Sequence, residues 1–199
     1  MKRIAILLII GGVLCGILIT FGMNHRSDEH AVFATFLGGK LHAVNAENKE
    51  CSVTDLLENA EGKYLYCDID GDGFDELHLR SEQNYYIIKN EEGSLYVLYE
   101  GTAYEYPVEQ DELRGILYFR RGGAPEHESY QFYVLDSQGQ VQETLEFEWY
   151  DANENDTMDA GDIYLLNQEE IKEKKWKEET QMYREVPVGL EKWSNVKIQ

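Results

Sequence analysis

Asp68-Ile69-Asp70-Gly71-Asp72-Gly73-Phe74-Asp75-Glu76 places five acids and two glycines in nine residues. Acids stand at alternate positions 1, 3 and 5, a Gly at 6, a carbonyl at 7 and another acid at 9. Calcium takes about six to eight oxygens, and a short acidic loop supplies several of them when its backbone turns sharply. Asp68, Asp70, Asp72, the Phe74 carbonyl and Glu76 therefore form a candidate Ca2+ set, with Gly73 free to adopt positive φ. The competing reading is an Asp/Gly-rich hairpin turn that holds no metal. On either reading the chain reverses here. Tyr64-Leu-Tyr-Cys-Asp-Ile69 runs in and Glu76-Leu-His-Leu-Arg80 runs out, both with a period of two, so strands flank the loop rather than an EF-hand helix pair.

Working outward, the period of two recurs. Tyr85–Lys89 and Ser94–Tyr99 flank Asn90-Glu-Glu-Gly93, a hairpin loop with Gly where positive φ is needed. Ala103–Val108 and Leu113–Arg120 surround Glu109–Glu112, and Ser129–Leu135 and Val141–Tyr150 surround Asp136–Gly139. In the last strand Leu145, Phe147 and Trp149 share one face and Glu146 and Glu148 the other. Short turns between consecutive strands predict an antiparallel meander. Many of the 14 tyrosines fall in these strands, where aromatic residues pack well.

Helical signals lie at both ends. Ser27 caps a predicted helix over 28–37, with Asp28 and Glu29 in its first turn and Gly38-Gly39 at its end. Lys40–Ala46 suits a short strand, and Ser52-Val-Thr-Asp55 has capping-box spacing ahead of one or two helical turns. Asn167 caps a predicted helix over 168–184 with Ile171, Trp176 and Tyr183 as its core contacts. Pro187 stops it, leaving Val188–Trp193 to cover the sheet or its edge. The fold class expected is α+β: a Tyr-rich antiparallel meander with N- and C-terminal helices, preceded by one transmembrane helix.

That last expectation rests on Ile4–Gly22, nineteen uncharged and largely apolar residues behind Lys2-Arg3. As a helix they reach about 28 Å, close to the hydrocarbon thickness of a bilayer. The basic pair before the run orients the N-terminus toward the cytoplasm and residues 24–199 outside. Residues 1–23 read as an uncleaved anchor, as a cleaved signal peptide ending near Thr20-Phe-Gly22, or as a lipoprotein leader at Cys15. In the last two cases the domain is secreted or lipid-held. Only Lys2 and Arg3 of the 18 basic residues precede the run, and all 38 acids follow it, so the outer part carries −22 against −20 for the whole chain. Such a surface repels nucleic acid and anionic lipid. Cys51 and Cys67 are either joined outside the cell or separately buried.

A second acidic stretch, Asp151-Ala-Asn-Glu-Asn-Asp-Thr-Met-Asp-Ala-Gly-Asp162, puts Asp151, Asn153 and Asn155 at positions 1, 3 and 5. The Thr157 carbonyl falls at 7, Asp159 at 9 and Asp162 at 12, but Asp156 occupies the place of Gly. It reads as a weaker calcium loop or as a polar loop. Arg120-Arg121-Gly-Gly-Ala-Pro-Glu-His-Glu128 is the remaining cluster. Its Arg pair suits a carboxylate or phosphate, and His127 a metal or a proton; the plainer reading is a wide hairpin loop.

Asp68–Leu77 resembles the calcium loops of integrin-like FG-GAP and VCBS repeats, which sit between strands of propeller blades. The likeness covers about ten residues, and the chain has no blade repeat. The outer domain also resembles uncharacterised membrane-anchored or secreted proteins of Clostridia and related Gram-positive bacteria. These similarly place a DxDGDG loop before a Tyr-rich meander, a Gly-Gly-Ala-Pro-x-His segment (Gly122–His127 here), a second acidic loop and a C-terminal helix. The resemblance implies calcium and the compartment, and no activity. Nucleophile motifs are absent from the sequence. The functional expectation is a membrane-anchored, extracytoplasmic calcium-binding domain with a structural or partner-binding role toward an envelope protein or glycan. The alternatives are an envelope hydrolase using Arg120, Arg121 and His127, or a tethered sensor or inhibitor.

Overall fold

The structure is a computed structural model that describes residues 30–58, 61–110, 113–121, 127–184 and 192–197. The expected membrane run, Ser27, and residues 122–126 of the Arg/His segment lie outside the described residues, and no described helix is long and apolar enough to cross a membrane. The described chain is mostly antiparallel β with three helices, α+β as expected.

Helix α1 is seen over 30–37, followed by strands β1 (Ala43–Val44) and β2 (Glu50–Cys51) and helix α2 (Val53–Leu56). Then come β3 (Lys63–Cys67), β4 (Glu76–Arg80), β5 (Asn84–Glu91) and β6 (Ser94–Thr102). The chain continues with β7 (Glu105–Gln110), β8 (Leu113–Arg121), β9 (His127–Leu135) and β10 (Val141–Tyr150). It closes with β11 (Ile163–Leu166), β12 (Glu169–Glu170), α3 (Glu173–Arg184) and β13 (Ser194–Asn195).

The expected single meander is two sheets. The first has the order β13-β3-β4-β5-β6-β1-β2, with β1 parallel to β6, and the second β12-β11-β10-β9-β8-β7. The break falls at Ala103-Tyr104. There the chain doubles back so tightly that a Cβ on Gly101 would lie 1.7 Å from Glu105 Oε2 and 2.8 Å from Tyr99 Cε1, so a larger residue displaces these side chains. Ala103 N–H donates to Gln83 and Phe119 N–H to the Tyr104 carbonyl, which fixes the crossing.

The sheets pack face to face, with helices outside both. Between them lie Cys67, Ile69, Tyr85 and Ile87 from the first sheet and Ile116 and Leu135 from the second. Phe33, Phe36, Val53 and Leu57 of the α1–α2 region cover the other face of the first sheet at Leu77, Leu79, Tyr86 and Ile88. Trp176 of α3, fully buried, covers the far face of the second sheet with Phe147, Trp149 and Tyr164. Ile171 and Tyr183 pack beside it, as the helical spacing predicts.

Local rules held at several turns. The Ser52–Asp55 capping box forms in both directions. The β5–β6 hairpin closes on Glu92 (φ 53) and Gly93 (φ 91), a two-residue primed turn whose twist suits the strands. The same geometry overturns one expectation. Asn167 (φ 50) and Gln168 (φ 66) form a tight β11–β12 turn, so the last helix starts at Glu173 rather than 168. Asn tolerates positive φ, and its side chain accepts from Glu146 N–H, so turn chemistry displaced the capping role.

Every residue of β4 is buried. Leu77 and Leu79 face the helices, while Glu76, His78 and Arg80 face the second sheet. His78 is fully buried and bonded to Tyr85 Oη (2.6 Å) and the Cys67 carbonyl (3.1 Å). Cys51 and Cys67 are both free, and they lie in clusters on opposite faces of the first sheet, which rules out joining them here.

Candidate metal centre

The acidic loop joins β3 to β4 and is shaped by its own side chains. Asp68 accepts from Gly71 N–H (2.7 Å) and Gly73 N–H (3.1 Å), Asp70 from Asp72 N–H (3.1 Å), and Asp72 from Phe74 N–H (2.8 Å). Gly71 (φ 80) and Gly73 (φ 92) take the positive dihedrals that aim these amides inward. Glu76 returns from β4 to accept from Ile69 N–H at 3.1 Å. The result brings Asp68, Asp70 and Glu76 together: one oxygen from each lies within 4.8 Å of the others, and Asp68 and Glu76 are buried. Among the described residues this is the one such cluster. The Phe74 ring points partly to solvent.

Three further elements fasten the loop. His30 of α1 holds Asp75 at 3.0 Å, and Arg114 of β8 donates to Asp68 at 2.8 Å, tying the loop to the second sheet. The Lys89 ammonium of β5 enters the cluster itself, 2.5 Å from Asp70, 2.8 Å from Asp72 and 3.6 Å from Glu76. Neither Lys89 nor Arg114 was singled out in the sequence. Lys89 was nevertheless legible, since the register that pairs Leu77 with Ile88 brings it level with Glu76, an opposite-charge cross-strand pair. Arg114 had no local signal, because it arrives from another sheet.

Electrostatics follow the burial. Removal from water, and then the Asp70 charge, push the Glu76 carboxyl up to about 8. Burial works to lower the Lys89 ammonium, but the hydrogen bonds it donates to Asp70 and Asp72 more than reverse this and hold it above its ordinary value. Burial alone accounts for most of the drop of His78 to about 4, so it is neutral at pH 7.

The donor set fits a hard cation: carboxylates only, with no sulfur or imidazole among the converging atoms. A divalent ion would be held by Asp68, Asp70, Asp72 and Glu76, and it would take the place of the Lys89 ammonium.

The second loop shares the skeleton. Asp151 accepts from Asp156 N–H (2.6 Å), Asn153 from Asn155 N–H (3.2 Å) and Asn155 from Thr157 N–H (2.8 Å), the same 1–6, 3–5 and 5–7 bonds as in the first. Glu154 (φ 58) and Asp156 (φ 57) adopt the dihedrals that glycines supply at Gly71 and Gly73. Its acids do not converge as a triad. Asp159 accepts from the Asn153 (3.0 Å) and Asn155 (2.8 Å) amides, and Asp162 from Trp149 Nε1 (2.9 Å) and Asp159 N–H (2.8 Å). The amides that replaced acids at positions 3 and 5 occupy the ligands a cation would use.

In the Arg/His segment, His127 pairs with Glu148 (2.9 Å) rather than with its neighbour Glu128, and stacks on Tyr150, whose hydroxyl donates to the same carboxylate. Glu128 turns to the opposite face, where it accepts from Tyr130 Oη. Arg120 is exposed, and Arg121 pairs with Glu128 in the backbone ladder. Comparison with family models, with curated proteins and with solved structures returned no match.

Proposed function

We propose that this chain is an envelope-facing calcium-binding domain, tethered through residues 4–22, in which the ion fastens the Asp68–Glu76 loop and the sheets that meet there. One observation carries the reading: buried carboxylates converge in a loop that already draws a cation, the Lys89 ammonium, into its midst. Carboxylates so close repel one another unless a positive charge sits among them. Calcium supplies two charges at the position where lysine supplies one. The Asp72 carboxylate and Phe74 carbonyl complete the oxygen set that the sequence pattern assigns.

The role of the ion is structural. It binds the folded loop and not the unfolded chain, so it shifts folding by mass action. Extracellular modules of this class bind calcium at about 10⁻⁴–10⁻³ M, a range filled outside a cell and empty inside it. The −22 charge of the domain repels nucleic acid, which leaves an envelope protein or glycan as the partner.

The test is calorimetric titration of calcium into the full chain in detergent, with melting in calcium and in chelator. A saturable site and a higher melting temperature in calcium are expected, both lost in Asp70→Asn. Absence of heat and of stabilisation at millimolar calcium, in the wild type and in Lys89→Met alike, would leave the loop a lysine-held turn.

A further inference from the structure

Arg80 presents a different anomaly, on the inner face of the first sheet and independent of the calcium loop. Its residue is 8% exposed, yet among the described residues no carboxylate lies within the 4.0 Å of an ion pair. Nη2 donates to the Ala103 carbonyl at 2.5 Å, while buried Nη1 has no acceptor. The guanidinium carbon lies 4.6 Å from the Tyr106 ring centroid and 5.5 Å from that of Trp193. Such ring contacts favour a cation but supply no counter-charge. A buried charge without a counter-charge is costly, and proteins pair it or give it a ligand.

The neighbouring strand deepens the imbalance. Lys63 stands directly opposite Arg80 in the β3–β4 ladder, so both side chains leave the sheet on one face. Like charges directly opposite destabilise a pair of strands. Asn195 of β13 continues the same row beyond Lys63. At this corner a cavity of about 230 Å³ is lined by Arg80, Lys63, Ser81, Asn195, Glu61 and Glu82, with Gly62. Ser81 Oγ accepts from Gln83 and Asn84 N–H, which leaves its own proton free to donate. Glu105, also buried, makes no ion pair with Arg80, and its own Oε2 is unpartnered.

We propose that this cavity binds a small carboxylate, and best one that carries an adjacent ammonium, as an α-amino acid does. The carboxylate lies between the Arg80 guanidinium, whose buried Nη1 gains the acceptor it lacks by a small shift of the side chain, and the Lys63 ammonium. Glu61 and Glu82 receive the ammonium; together the two cations and two acids make a lining of no net charge, matched by a ligand of no net charge. A phosphate dianion meets the same two acids and is disfavoured. A volume of about 230 Å³ accommodates one amino acid.

Glycine, acetate and inorganic phosphate, each titrated into the full chain at fixed ionic strength and in chelator, separate the outcomes. Saturable binding of glycine is expected, weaker for acetate and weakest for phosphate. Lys63→Gln should weaken it about tenfold, the scale of one charge-assisted hydrogen bond, and Arg80→Lys should abolish it. Lys63 is exposed, so its variant keeps the fold even where Arg80→Lys does not. Asp70→Asn should leave it unchanged, since the two sites share no residue. No saturable binding of any probe, or equal affinity in Lys63→Gln, overturns the site. Tighter binding of phosphate than of glycine overturns the carboxylate assignment.

Discussion

Replacing Lys89 by Met isolates what a cation contributes to the acidic loop. Lys89 is 12% exposed, and its partners Asp70 and Glu76 are 0% and 1% exposed, while Asp72 is 32% exposed. Removing one partner of a buried ion pair costs about 3–5 kcal/mol. Two features reduce that here: Asp72 can rehydrate, and Glu76 can take up a proton. A loss of about 2–4 kcal/mol in chelator is therefore expected, a fall of roughly 5–15 °C in melting temperature for a domain of this size. Calcium should restore much of it. With a dissociation constant of about 10⁻⁴–10⁻³ M, 5 mM calcium returns roughly 1–2 kcal/mol. It should return more in the variant than in wild type, because no tethered ammonium has to be displaced. Urea unfolding of both proteins, in calcium and in chelator, gives all four values. Equal stability of Lys89→Met and wild type in chelator would refute the electrostatic account of the loop. Equal calcium gains would refute the competition between lysine and the ion.

Three further perturbations probe the frame around the site. His78 is held down at about 4 against an ordinary value near 6.5, so the unfolded chain binds the extra proton; its contribution is whole above about pH 6.5 and is lost as pH falls toward 4, about 3 kcal/mol in all. Glu76, raised to about 8, acts with the opposite sign between about 4.5 and 8, so the diagnostic is the difference between wild-type and His78→Gln pH–stability curves; parallel curves would remove His78 as the cause. Gly139→Ala should cost about 2–4 kcal/mol, because φ is +74 and the new Cβ would stand 2.2 Å from the Leu98 carbonyl of the first sheet. Gly93→Ala, with φ +91 and open space around it, should cost only about 1 kcal/mol, and equal losses at the two glycines would argue against that sheet-to-sheet contact. Asp156→Gly should stabilise by about 0.5–1 kcal/mol by relieving a positive φ, as urea midpoints would show; destabilisation would mean that the Asp156 carboxylate itself holds the second loop.

Short-range chemistry was readable from the residues alone. Asp68, Asp70 and Asp72 each lie within five residues of the amide they bond, as do their counterparts Asp151, Asn153 and Asn155, so the spacing of side chains sufficed. The Ser52 cap and the Glu92-Gly93 turn are local for the same reason. Asn167 misled because capping a helix and occupying a tight turn draw on one capacity, a short side chain that bonds the backbone; which is used depends on whether β11 has a strand to pair with.

Tertiary structure decided which faces met water. Glu76-Leu-His-Leu-Arg80 alternates polar and apolar residues, the pattern of a strand with one face in solvent. The chain breaks its meander at Ala103-Tyr104 and folds a second sheet over that polar face, and no residue within β4 announces it. Burial then changed what each polar residue does. Glu76 became one wall of a cation cluster, His78 a neutral spacer between Tyr85 and the Cys67 carbonyl, and Arg80 a guanidinium without a counter-charge. The identity of the acidic loop belongs to the sequence, because its bonds span a few residues. The company it keeps, Lys89 from β5 and Arg114 from the other sheet, belongs to the fold, because charges far apart in the chain become neighbours only when two sheets close on each other.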